Sequence, residues 1–221
     1  MLVEAVAATA LAVGGTSGLV CLDPGHSSRP NLATEPIGPG SRQRKVKDGG
    51  GTPGEAAVVL QIARRTRTAL LARDLRVAMT RTGPDFTVGG RGNVDRARFC
   101  NRRRADLMVR IHADGSTDRS RRGVSTLYPA RRRGWTDDVY APSLRAARIV
   151  QRALVRATGA RDLGLVRRGD LTGFNWADVP VVLAETGFMT NRAERRRLTS
   201  PAYQWRIARG LARGAVAFVR R

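Results

Sequence analysis

The chain has 221 residues, ordinary apolar content and no visible internal repeat, which fits one globular domain with a real core. Its charge is unusual: 40 Lys and Arg against 18 Asp and Glu give a formal net charge of +22, and almost all the cations are Arg. Such an excess points to a polyanionic neighbour (nucleic acid, an anionic membrane or an anionic wall) or to an Arg-rich composition that merely solvates the surface, and composition alone does not choose between them.

The first 15 residues are small and apolar, too few to cross a bilayer, and no later segment is long and apolar enough to do so. They resemble the apolar core of a secretory signal, with Ala-Val-Ala and Ala-Thr-Ala as cleavage candidates. No Lys or Arg precedes the apolar run and Glu4 lies inside it, as expected if the start is placed too far downstream. The reading is an incomplete signal-like leader over 1–17, an exported protein, and a single domain over 18–221. In an exported chain the two cysteines, Cys21 and Cys100, suggest a disulfide; two buried thiols are the alternative.

Leu19 to Leu22 is a short apolar run that ends in a turn, Asp23-Pro24-Gly25, and reaches His26, one of two histidines in the chain. This predicts a buried strand that presents His26 at a sheet edge. Ser27 to Pro53, rich in Gly, Pro and cations, is expected to be a long flexible loop on the rim of a site. Gly54 to Arg73 has a helical apolar face, with Glu55 in its first turn. Leu75 to Thr80 reads as a strand, Arg81 to Gly90 as a loop and Asn93 to Arg104 as a helix. Asp106 to His112 is a strand that also ends on a histidine, followed by small residues from Ala113 to Ser116.

A fourth strand is predicted over Gly123 to Tyr128, an irregular connection over Arg131 to Pro142, a helix over Ser143 to Thr158 and a short edge strand over Gly164 to Arg168. Asp170 to Asp178 is expected as a loop. Val179 to Glu185 is a strongly apolar strand ending on an acid, after which Gly187 to Asn191 should turn away. Asn191 and Glu194 have capping-box spacing for a short helix, and Pro201 to Arg221 closes the chain as a helix. Strands alternating with helices predict an α/β fold: one mixed, mostly parallel sheet of about six strands, helices on both faces.

Three strands thus end on His26, His112 and Glu185, and a helix begins on Glu55. If those strands are parallel, the side chains meet at one edge. Two histidines and a carboxylate with an open fourth position make a catalytic zinc site, and a further carboxylate that does not bind the metal can act as general base. Each residue alone has a plainer reading: a structural histidine, a dipole-friendly Glu, a Glu paired with an Arg.

The motifs Asp23-Pro24-Gly25-His26, Gly54-Glu55, Val77-Ala-Met-Thr-Arg81, Arg91 ahead of Ala105-Asp106, Ile111-His112-Ala113-Asp114 and Glu185-Thr186-Gly187-Phe188-Met189-Thr190-Asn191 occur in that order. As a set they resemble the zinc-dependent N-acetylmuramoyl-L-alanine amidases of the cell-wall hydrolase type, from Leu19 to the C-terminus. The resemblance implies one zinc per chain on His26, Glu55 and His112, with Glu185 catalytic. It implies cleavage of the amide between N-acetylmuramic acid and L-alanine in peptidoglycan and its muropeptides. Asp23 and Asp114 are candidates to orient the histidines, with turn formation as the plainer role; Arg91 is a further candidate near the substrate. The chain departs from the family in its long basic stretch between His26 and Glu55, and in Arg110, where a small polar residue is commoner. Many relatives carry an inhibitory helix after the second histidine, and Arg131 to Pro142 is too short and irregular to hold one. No wall-binding module is recognisable, so the basic surface is expected to contact anionic wall polymers. A monomer with no specific nucleic-acid partner is expected. The rival readings are a zinc peptidoglycan carboxypeptidase and, less favoured for want of aromatics among the arginines, a basic nucleic-acid-binding protein.

Overall fold

The computed structural model describes residues 17–85 and 92–220. The leader over 1–17 therefore lies outside the described residues except for Ser17, and so do Arg91 and the last part of the loop expected over 81–90.

The frame is a six-stranded sheet. Its strands are β1 (Leu19–Pro24), β4 (Arg76–Met79), β5 (Leu107–Asp114), β6 (Val124–Pro129), β7 (Asp162–Arg168) and β8 (Val181–Phe188), in the order β4-β1-β5-β8-β6-β7. Every neighbouring pair is parallel except β6 with β8. The predicted α/β class and mixed sheet are what the chain forms. The central strands β1, β5 and β8 are buried along nearly their whole length, because helices cover both faces and leave no wet side for a polar stripe.

Helices α1 (Glu55–Leu71), α3 (Tyr140–Thr158) and α6 (Pro201–Val219) pack on one face over a core that includes Val20, Leu22, Ile62, Val109, Leu154 and Ile207. Helix α2 (Asn93–Arg102) and the one-turn α4 (Thr172–Asn175) cover the other, with Cys21, Cys100, Met108, Phe174 and Leu183 beneath them. Strand alternation explains the division: Cys21 and Asp23 point to the α2 side, Val20 and Leu22 to the other. A disulfide joins Cys21 to Cys100. The short α5 (Arg192–Leu198) opens on Asn191, whose side chain accepts hydrogen bonds from the amides of Ala193 and Glu194.

Four expectations need correction. The stretch from Ser27 to Pro53 is not simply a loop, because β2 (Asn31–Pro36) and β3 (Arg44–Asp48) form an antiparallel hairpin inside it. Its strands are mostly exposed, so they show no buried alternation to read. The hairpin is anchored by its backbone: the carbonyls of Pro36 and Ile37 accept hydrogen bonds from Trp176 and Asn175. Helix α3 begins at Tyr140, inside the expected irregular connection, and α4 lies inside the expected loop over 170–178. Strands β5 and β8 run two and three residues past His112 and Glu185 instead of ending on them. A register shift between His112 and Asp114, with Gly187 at φ 144, bends the paired strands there.

Candidate metal centre

The site lies at the carboxyl ends of β1, β5 and β8, where open α/β sheets bind their ligands. His26 follows β1 through the turn at Pro24-Gly25. His112 and Glu185 are direct partners across the β5–β8 ladder. They share the sheet face of Met108, four residues before His112, and of Leu183, two before Glu185. Glu55 arrives from the other layer, as the first residue of α1 after Gly54 in a left-handed conformation (φ 86). Its carboxylate accepts hydrogen bonds from the amides of Thr52, at 3.0 Å, and Ala113, at 3.2 Å.

The two imidazoles converge on one oxygen. His26 Nε2 lies 3.3 Å and His112 Nδ1 3.2 Å from Glu55 Oε1. The ring centroids are 4.9 Å apart and nearly perpendicular. The three side chains each offer a donor atom, all within 4.8 Å of one another, a group that could hold a metal ion.

Close approach of backbone shapes the cradle. A Cβ on Gly25 would overlap the His112 ring, and one on Gly51 would lie 2.6 Å from Glu55 Oε2 and 2.7 Å from His26 Nε2. Gly51 also has φ 67, so the turn that wraps the cluster needs glycine twice over.

Carboxylates surround His26 with negative charge. Burial opposes charge on His26, but hydrogen bonds to Asp48 and Glu55 outweigh it and push its pKa up to about 9. Burial likewise opposes ionisation of Glu55, yet the two imidazoles hold its carboxyl well below the usual range. His112 is pulled down, by burial first, and so stays a neutral donor. Its Nε2 is buried without a hydrogen-bond partner.

Glu185 stands apart from the three. Its pKa is pushed well above normal by burial, and then by the charges of Asp114 and Glu55. Its Oε2 is buried without a hydrogen-bond partner. Histidines, glutamates and Asp114 all line a cleft of about 670 Å³, with Arg168 as the cation on its wall. A second hollow of about 370 Å³, between Ser27, Pro30, Pro53 and Gln61, has no titratable side chain among the described residues that line it.

The expected orienting carboxylates fall differently. Asp23 touches neither histidine. It is fully buried and accepts hydrogen bonds from Thr80, Arg96 and Arg110. Asp114 lines the cleft, but its carboxylate accepts from the amide of Gly115 and not from a histidine. The residue that holds His26 is Asp48, whose Oδ1 lies 2.8 Å from His26 Nδ1. Sequence reasoning missed Asp48 and Arg168. Asp48 sits at the end of β3 before Gly49-Gly50-Gly51, and only the recognition of that hairpin would have drawn attention to it. Arg168, the last residue of β7, is one of many arginines; Asp170 two residues later, which accepts from its Nε and Nη2 at 2.6 Å each, was the available signal.

Comparison with known proteins identifies the family. The Amidase_3 family, described as N-acetylmuramoyl-L-alanine amidase, matches residues 20–217. An N-acetylmuramoyl-L-alanine amidase of Mycobacterium tuberculosis is 30% identical over 238 residues, covering 99% of this chain and 92% of that protein. The crystal structure of the amidase Ami1 from Mycobacterium smegmatis superposes with a TM-score of 0.80 at 30% identity, over 91% of this chain and 96% of the other. Ami1 from Mycobacterium abscessus, in its apo form, gives 0.78 at 30%, over 91% and 98%. An α/β sheet of this topology, with its cleft at the carboxyl edge of the central strands, is the fold of the amidases that the chain matches. This chain belongs to the Amidase_3 family and is an N-acetylmuramoyl-L-alanine amidase.

Proposed function

We propose that the chain is a zinc enzyme in which His26, Glu55 and His112 hold one metal ion and Glu185 moves the proton. The reaction is hydrolysis of the amide joining N-acetylmuramic acid to the L-alanine of the stem peptide. The observation that carries this reading is the convergence of His26 Nε2 and His112 Nδ1 on Glu55 Oε1, with a buried, unpaired Glu185 directly across the ladder from His112.

Zinc bound there would supply Lewis-acid polarisation of the scissile carbonyl and acidify water. The rest falls to the protein. Glu185, its proton affinity raised by burial, takes a proton from the attacking water and returns it to the departing alanine amine. Asp48 fixes the His26 ring so that Nε2 faces the metal position. Arg168, held by Asp170, offers a guanidinium to a substrate carboxylate in the cleft. Asp114 adds negative charge beside Glu185 and helps keep its pKa high. The enzyme works as a monomer on exported wall material, a location supported by the Cys21–Cys100 disulfide.

Purified protein incubated with peptidoglycan, with and without a chelator, tests the reaction. Mass spectrometry should find new L-alanine amino termini only in the chelator-free sample. Release of a C-terminal amino acid instead would establish the carboxypeptidase reading. Glu185→Gln should keep one zinc per chain and lose about 10²–10⁴-fold in kcat, the usual worth of a positioned general base. His112→Ala should lose the zinc; one ion per chain in that variant would refute the ligand set.

A further inference from the structure

Helices α1, α6 and α3 lie side by side on one face of the sheet with α6 in the middle, and α5 leads into α6. Their sequences contribute three arginines from α1, four each from α3 and α5, and three from α6. All are exposed except Arg65, which is half-buried. The only carboxylates on these four helices are Glu55 and Glu194, and both are buried. Glu55 serves the metal centre, while Glu194 accepts hydrogen bonds from the amides of Gly123 and Phe188. The outer surface of these helices therefore carries arginine with no carboxylate among it. None of these arginines forms an ion pair with a described carboxylate. Exposed acids such as Asp118, Asp137, Asp138 and Asp178 lie on loops instead.

A net charge scattered by composition would mix its few acids into every face. Here the four helices themselves carry no exposed acid, and Asp74, just past the end of α1, lies at the edge of the layer beside Val219 and Arg220. Several of its guanidinium groups are also held in place by aromatic rings: Arg145 over Phe218 at 5.1 Å, Arg197 over Tyr203 at 4.3 Å, and Arg65 and Arg209 at 5.9 Å from Trp205. Along α3 the row Arg145, Arg148, Arg152, Arg156 repeats about once per turn, roughly every 5–6 Å. Arg206, Arg209 and Arg213 repeat likewise on α6.

We infer that this arginine face is a docking surface for an anionic, phosphate- or carboxylate-bearing polymer of the cell wall, separate from the catalytic cleft. The choice of a wall polymer rests on the proposed substrate; the existence of the surface does not. Guanidinium groups bind such oxyanions in a forked geometry. The face offers a bilayer little to insert, since Leu71 at the end of α1 is the one large apolar side chain among its strongly exposed residues. Its aromatic rings lie under arginines, which does not suit them to stack bases. The cleft opens at the strand ends, so a polymer held on the helices leaves it free.

The test compares two variants of equal charge. One carries Arg148→Gln, Arg152→Gln, Arg209→Gln and Arg213→Gln on the face. The other carries Arg102→Gln, Arg122→Gln, Arg133→Gln and Arg161→Gln elsewhere. Each is measured by co-sedimentation with purified walls whose anionic polymers are intact or extracted, by binding to phosphatidylglycerol vesicles, and by turnover of a soluble muropeptide. The face variant should lose about tenfold in wall affinity, with a raised KM on walls and unchanged kcat on the muropeptide. The other variant should stay within about twofold of the parent, and extraction of the polymers should abolish the difference. Equal losses in both variants, unchanged wall binding in the face variant, or preference for vesicles over intact walls would overturn the inference. Sedimentation needs no cleavage, so a parent protein that binds walls through this face but cuts nothing would refute the amidase chemistry and leave the surface standing.

Discussion

At the scale of single residues, the proposed site depends on what holds the proposed ligands as much as on those ligands themselves. Asp48 fixes the orientation of His26 and adds to the negative field around it. Asp48→Asn keeps the shape but removes that charge. The expected result is zinc affinity about 10–100-fold weaker, the usual cost of losing a partner of a metal-bound histidine. Competition with a chromogenic chelator measures it, and Asp48→Glu should recover part of the loss. Glu185 illustrates the opposite logic. It is kept from solvent and beside like charges, so it holds a proton more readily than an ordinary glutamate. His26, Glu55, His112 and Glu185 were legible because each lies in a short local motif near a strand's carboxyl end or a helix start, and the motifs together resemble one family, although β5 and β8 run past His112 and Glu185. Asp48 was not, since its closeness to His26 is made by a hairpin turning back over 22 residues.

At the scale of elements, the carboxyl end of β1 is tied to its neighbours by buried arginines. Arg96 of α2 donates to Asp23, at 2.5 Å, and to the carbonyls of Pro24 and His26. Arg110 of β5 holds the other Asp23 oxygen at 2.8 Å. Arg81, fully buried after β4, donates to the carbonyls of Pro24, Gly25 and Ala56. It thereby links the turn before His26 to the residue after Glu55. Such pairs stabilise only as complete sets, and removing one partner strands a buried charge. Burial opposes ionisation of Asp23, but Arg96 and Arg110 outweigh it and hold its carboxyl below the usual range. Its contribution is therefore present above the ordinary aspartate pKa, about 3.9, and fades as pH falls through the lower folded value. Asp23→Asn should cost about 3–5 kcal/mol at pH 7, and the gap from the parent should narrow below about pH 4. Urea unfolding at several pH values reads both. The motif with Asp23 suggested a role at the histidines; alternation along β1 sends it to the α2 side instead, where Arg96 lies one turn before Cys100. The hairpin of β2 and β3 was illegible for a related reason. Local pattern records burial, and these strands are stabilised by turn, ladder and anchoring hydrogen bonds while staying mostly exposed.

At the scale of the whole molecule, the disulfide joins a central strand to a helix on the outer layer across 79 residues of chain. Closing so long a loop restricts the unfolded chain, and loss of such a bond typically costs 2–5 kcal/mol. The double variant Cys21→Ala, Cys100→Ala should lower stability by about that amount, read as a shift in urea midpoint. It should leave the zinc stoichiometry at one if the variant is assayed well below that midpoint, because neither cysteine is among the metal-site donors. The same scale decides where charge sits. Composition states +22, but only the packing of α1, α3 and α6 shows that the acids are absent from their outer face.

By itself the sequence determined the alternation of strands and helices, and with it the α/β class. It also determined which residues stand where strands and α1 meet the site. Those properties are local: burial period, turn chemistry and capping act over a few residues. Only the tertiary structure decided that β1, β5 and β8 run parallel and adjacent, that Asp48 and not Asp23 holds His26, and that Cys21 reaches Cys100. Each of these joins residues far apart in the chain. Their pairing is selected by the global packing of sheet and helices, which no short window of sequence contains.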